Sequence, residues 1–331
     1  MMVHGLLKTI GFCACIAMVQ AQIEFPAGKG AGKGKHIVLV SGDEEYRSEE
    51  ALPELAAILS KRHGFRCTVL FAIDPADGTV RPDKATNIPG LEALRTADLM
   101  ILFTRFRDLP DEQMKHFADY LETGKPIVAM RTATHAFQLK SSTTYARFSS
   151  NDKPTDGGFG RQVLGETWIS HHGKHNVEST RGVVAEGQQA HPILRGVRDV
   201  WGPSDVYKIR LPLDVSIHPL LMGQILAGMK PTDSPVADAR NNTMMPVAWT
   251  KSYTSASGKQ PRIFTTTMGA AEDLLNEGVR RMLINACYWG VKMEAKIKAN
   301  SDVGLVGTYT PTHFSFGGYK KGQKPEDFRP R

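Results

Sequence analysis

Between His36 and Met130 the chain alternates nearly all-apolar runs with helix-patterned segments. The runs are HIVLVSG (36–42), FRCTVLFAI (65–73), DLMILFTRF (98–106) and PIVAM (126–130). Continuous apolar runs of this length suit strands buried on both faces. Ser48 to His63 predicts a helix, with Ser48 as N-cap, acids in the first turn and Gly64 after the end. Gly90 to Thr96 predicts a short helix, and Pro110 to Thr123 a longer one stopped by Gly124. Residues 138–260 are less regular, with short strands at ETWIS (166–170), VSIHPLLM (215–222) and MPVAWT (245–250). RIFTTTMG (262–269) is another buried strand, and Ala271 to Lys292 a long helix. Strands alternating with helices predict an α/β fold, a doubly wound, mostly parallel sheet with helices on both faces.

The ends read differently. Lys8 precedes an apolar run from Thr9 to Val19, and Val19 and Ala21 occupy the small-residue positions of a cleavage site. Residues 1–21 are therefore expected to be a signal peptide. That run is too short to span a bilayer comfortably, so the mature chain is expected to be exported, periplasmic or extracellular, with no membrane segment. Residues 22–35, QIEFPAGKGAGKGK, read as a flexible leader. Their glycines make no phosphate loop, because no strand precedes them and no Ser or Thr follows the lysine. No nucleotide cofactor is indicated. The tail, 294–331, carries Tyr309, Phe314, Phe316, Tyr319 and Phe328. Disordered tails are usually poor in aromatics, so it is expected to pack on the body or on a neighbouring subunit, which leaves a homo-oligomer open.

The net charge of +7 belongs largely to these ends. Residues 1–35 and 318–331 each carry an excess of about three positive charges, leaving the body nearly neutral. No nucleic-acid groove is indicated. Of the four cysteines, Cys67 and Cys287 lie beyond the leader in apolar surroundings, which suits two buried free thiols.

In an open parallel sheet, ligands bind at the carboxyl ends of the strands. After the first strand come Asp43, Glu44, Glu45, Tyr46 and Arg47. A carboxylate such as Glu45 there suits a general base, or else a solvated helix start. Arg105 and Arg107 follow the third strand and, with Tyr46 and Arg47, suit substrate recognition or plain ion pairing. The elbow after the fourth strand, RTATHAF, offers Arg131 as an orienting charge, Thr132 as a weak nucleophile or helix cap, and His135 as an acid/base. ISHHGKH places His171, His172 and His175 within five residues, enough to hold Zn²⁺ or another divalent transition metal with a carboxylate or water. One loop delivers at most two of these rings to one ion without strain. Without a metal, the loop would hold one ordered histidine. Asp205 and His191 are further polar candidates, His191 chiefly as the start of a turn before Pro192.

These segments together resemble the trehalose-utilisation (ThuA-like) family. The matching stretches are GDEEYRS, AMRTATHAF, HPILRGV, DVWGPSDVY, PVAWTKSY, RIFTTTMG and LINACYWGVKM, spanning about residues 36–293. The resemblance implies a flavodoxin-like fold of the class I glutamine amidotransferase type. It also implies an enzyme of sugar utilisation acting on a (keto-)glycoside by acid/base chemistry with metal assistance. An amidotransferase elbow carries a cysteine where this chain has Thr132, so thiolate-dependent glutamine hydrolysis is excluded. Relatives often carry histidines where this chain has the Tyr46–Arg47–Ser48 run and Ala270, which leaves His171, His172 and His175 to supply a metal site. The alternative is a non-catalytic carbohydrate-binding module, using Trp168, Trp201, Trp249 or Tyr207 as ring platforms, or a structural module that keeps only the fold.

Overall fold

A computed structural model of the chain describes residues 21–142, 144–151 and 156–331. The expected signal peptide, apart from Ala21, lies outside the described residues. The strands are β1 (Gln22–Phe25), β2 (His36–Gly42), β3 (Arg66–Leu70), β4 (Leu99–Thr104), β5 (Ile127–Met130), β6 (Ser170–His171), β7 (Ser179–Val184), β8 (Trp201–Gly202), β9 (Tyr207–Lys208), β10 (His218–Leu226), β11 (Met245–Lys251) and β12 (Ile263–Thr266). The helices are α1 (Ser48–Lys61), α2 (Asp111–Glu122), α3 (Ala239–Asn242) and α4 (Glu277–Gly290).

Among the described residues, ten strands form one sheet in the order β1-β3-β2-β4-β5-β12-β11-β10-β7-β8. β3, β2, β4, β5 and β12 are mutually parallel and form the centre. The remaining pairs are antiparallel. The sheet is thus parallel through its centre, as expected, and mixed through its antiparallel flanks. The reason is local: β10 and β11 follow one another with no long crossover helix between them, and a short connection returns the chain antiparallel. In β2, Ile37 and Leu39 join the apolar cluster under α1 and α4, while Val38 and Val40 join the one under α2. Burial on both faces is why these runs show no polar alternation.

Three expectations are corrected. The leader 22–35 is not flexible. Ile23 and Phe25 alternate inward, and β1 pairs with β3 as an edge strand. The glycines that follow let the chain lie against the end of α1, where Gly32 N–H donates to His63 O at 2.8 Å. The N-cap of α1 is Arg47, in a left-handed conformation (φ 60°), while the Ser48 hydroxyl accepts from Asp43 N–H at 2.9 Å. The helix expected from Ala271 is broken: residues 271–275 form a 3₁₀ turn, and the Asn276 side chain restarts the chain as α4 by accepting from Val279 N–H. Asn competes for backbone donors and so favours caps over helix interiors.

The tail runs back over the body. Phe314 is 1% exposed, and the buried Arg47 guanidinium donates to the carbonyls of His313 and Ser315. Cys67 and Cys287 are both free and buried. No helix among the described residues is long and apolar enough to cross a membrane.

Candidate functional site

The carboxyl ends of β2, β4, β5 and β12 open onto one rim, and the β6–β9 ribbon lies across it. The centre is Arg131. It follows β5 with φ 44°, a conformation that costs a residue other than glycine roughly 1–2 kcal/mol. That turn drives the guanidinium inward. It is fully buried, with Cζ 3.7 Å from the Tyr207 ring centroid and 4.3 Å from that of Tyr46. It donates to Asp205 Oδ1 at 2.8 Å, Tyr46 Oη at 3.0 Å, and the carbonyls of Asp205 and Thr267 at 2.7 and 2.6 Å.

Asp205 is the hub. β6 pairs with β9, setting His171 opposite Tyr207 and beside Asp205. Gly173 keeps the returning loop close, since a Cβ there would lie 3.2 Å from the backbone Val206 N. His171 Nδ1 lies 2.7 Å from Asp205 Oδ2, and His175 Nδ1 3.2 Å from Oδ1. One ligand atom from each of His171, His175 and Asp205 falls within 4.8 Å of the others. Burial alone would raise the Asp205 pKa. The Arg131 charge and the histidine hydrogen bonds outweigh it and hold the carboxyl well below the usual range.

Glu45 completes the group. Its Oε1 lies 3.3 Å from His175 Nε2 and its Oε2 3.4 Å from Arg105 Nε. Burial, and then the Asp43 charge, push its pKa up. The loop is fixed from below by Asp43 Oδ1, which accepts from the N–H of Glu45 and of Tyr46, both at 2.6 Å. Glu44 pairs with Arg105 and, at 2.9 Å, with Arg107. His171, 39% exposed, and His175, 25% exposed, face outward; Asp205, Arg131 and Tyr46 form the floor.

Residues 37–290 match ThuA, a family described as trehalose utilisation. The chain belongs to the ThuA family. Among solved structures it is similar to a ThuA-like protein from Bacteroides uniformis, at 16% identity and a TM-score of 0.50, covering 80% of this chain and 94% of that one. A ThuA-like protein from Parabacteroides merdae is similar at 14% identity and a TM-score of 0.50, covering 80% and 92%. These likenesses support the flavodoxin-like fold. No curated protein matches the chain.

Within the ThuA domain the candidate residues separate. His171 and His175 meet, with Asp205 as their carboxylate, but His172 does not join them. The strand ends at His171 and the chain bends at His172, whose ring Nε2 lies 3.2 Å from Arg240 O. The strained residue of the elbow is Arg131, not Thr132, whose hydroxyl donates to Asp43 instead of facing the mouth. Arg47 holds the tail, and Arg107 is buried on Glu44 and the carbonyls of Pro82, Lys84 and Arg105. Neither faces the mouth; Arg105 does. His135 is buried among Phe106, Trp168 and Tyr207, and burial holds its pKa well below the usual value, so it is neutral. Trp249 is a core residue donating to Leu164 O, and Trp201 donates to Ser179 Oγ. His191 starts a turn, its Nδ1 accepting from Ile193 N–H. Asp205 was legible only as a polar residue, and nothing in the sequence paired it with Arg131.

Proposed function

We propose that this chain is a metal-assisted enzyme of sugar utilisation, exported by the signal peptide read at residues 1–21. It would act on a carbonyl-bearing glycoside by proton abstraction. The observation that carries this reading is the convergence of two imidazoles and an anionic carboxylate beside Glu45, whose pKa is raised. The donor set fits a divalent transition metal. Two nitrogens and a carboxylate oxygen suit Zn²⁺ and its neighbours, and one donor atom from each of His171, His175 and Asp205 lies within 4.8 Å of the others. Arg131 on Asp205 Oδ1 is the outer partner that such carboxylates use for orientation.

A bound divalent ion would supply Lewis-acid stabilisation of a carbonyl or enolate oxygen. Glu45 would take the proton from the carbon beside that carbonyl, its raised pKa bringing it nearer the working pH of a general base. Arg105 would hold Glu45 from the side away from His175. Tyr46 keeps its proton at neutral pH, because burial raises its pKa, and it fixes Arg131 rather than acting as a base. Convergent buried charges favour this reading over a binding module, whose ring platforms Trp249 and Tyr207 are buried.

Metal analysis tests it. The purified chain should bind Zn²⁺ or Mn²⁺ near one equivalent. His175→Ala and His171→Ala should each weaken binding at least about tenfold, while His172→Ala should leave it nearly unchanged. Equal loss in His172→Ala, or no binding by the wild-type chain, sinks the proposal.

A further inference from the structure

Residues 291–331 lie beyond the family-matched region, yet they complete the site. Phe314 packs 5.2 Å from the Tyr46 ring and 5.5 Å from the His175 ring, centroid to centroid. Ser315 N–H donates to Glu45 O at 3.0 Å, and Arg47 donates to Ser315 O at 2.8 Å. Both contacts fall on the loop that carries the general base. The chain then leaves the surface at Phe316, which is 63% exposed. The Arg105 guanidinium backs that ring, with Cζ 4.9 Å from its centroid and 4.7 Å from the Phe106 centroid.

We infer that the strap His313–Phe316 is the specificity wall of this site, and that Phe316 is the shelf on which the apolar face of a hexopyranoside ring stacks. The inference rests on the reading of the His171–His175–Asp205 group as the reacting centre. Three observations carry it. Phe316 is an exposed aromatic fixed at the mouth by its own backbone neighbours, so little freedom is lost when a ring lies on it. The Arg105 that backs it is the same side chain that holds Glu45, so shelf and base are set by one group. The charges at the mouth are balanced: Glu44 and Glu45 neutralise Arg105 and Arg107, and Asp205 neutralises Arg131. Each of these three arginines is thus already paired with a carboxylate of the protein rather than held open for an anionic substituent on the ligand. A neutral ring with an apolar C–H face and a hydroxylated edge suits an aromatic shelf beside carboxylates that accept hydrogen bonds.

Trehalose is the probe, its binding to the full chain measured by saturation-transfer NMR and calorimetry with and without Mn²⁺. Phe316→Ala and Phe316→Leu should both weaken binding roughly 3- to 10-fold, and Phe316→Trp should retain it. Leucine keeps apolar bulk but has no ring face, so it separates stacking from general packing. Mn²⁺ binding, read by electron paramagnetic resonance, should be unchanged in all three. Wild-type affinity in Phe316→Ala and Phe316→Leu overturns the inference, as does failure of trehalose to bind the wild-type chain in either condition. Loss of Mn²⁺ binding by the wild-type chain with trehalose binding and its Phe316 dependence intact instead overturns the metal reading alone.

Discussion

Replacing Asp205 with asparagine tests the physical core of the site without any ligand. The side chain keeps its shape, but Arg131, with 0% side-chain exposure, loses its charge partner. Leaving one member of a buried ion pair unpaired costs about 3–5 kcal/mol. At about 2 °C per kcal/mol for a chain of this size, melting should fall by roughly 6–10 °C. Arg131→Met should cost more, because the carbonyls of Asp205 and Thr267 also lose their donor, each at about 1–3 kcal/mol. The double variant buries no charge in the pair, so its cost should fall short of the sum of the singles by at least about 2 kcal/mol. Urea unfolding at pH 7 in EDTA reads all three and removes any contribution from metal. The pH matters: a depressed folded pKa contributes stability that is full above the unfolded carboxyl value near 4 and is lost as pH falls below it. Asp205→Asn within 1 kcal/mol of wild type, or strict additivity in the double, would refute the reasoning.

Other outcomes follow from single residues. Burial without a hydrogen-bond partner pushes Glu49 up to about 8. The folded state therefore holds a proton that the unfolded chain has released above about 4.3, and stability falls as pH rises through that window to level off above 8. Glu49→Gln should match wild type near pH 5 and exceed it near pH 8.5 by an amount on the order of kcal/mol, read from urea midpoints. Glu45→Gln should abolish turnover on any substrate found while leaving Mn²⁺ affinity within a few-fold, which equilibrium dialysis and kinetics would separate. Arg47→Ala should free the strap, raising hydrogen exchange at Ser315 while β2 and β4 stay protected; unchanged exchange at Ser315 would contradict its anchoring role. The thiols of Cys67 and Cys287, whose pKa burial raises, should ignore a thiol reagent until the chain unfolds.

The parallel centre was legible because a strand buried on both faces must be nearly all apolar, and β2, β4 and β5 are. α1 and α2 followed from apolar spacing and end signals. Half of the metal group was legible too, since three histidines in five residues restrict what the loop between β6 and β7 can do. What the chain alone determined was which segments had to be buried and which loops had to stand at a strand end. It did not determine partners. Arg131 and Asp205 are 74 residues apart, and only the crossing of the β6–β9 ribbon over the end of β5 puts them in contact. The same holds for Phe314 on His175, for the strand at 22–25 that reads as a leader until β3 offers it an edge, and for His172, whose ring turns to the Arg240 carbonyl instead. Local sequence fixes burial and backbone preference, which are short-range. Which charge neutralises which is a long-range consequence of strand order, and the sheet had to be assembled before it could be read.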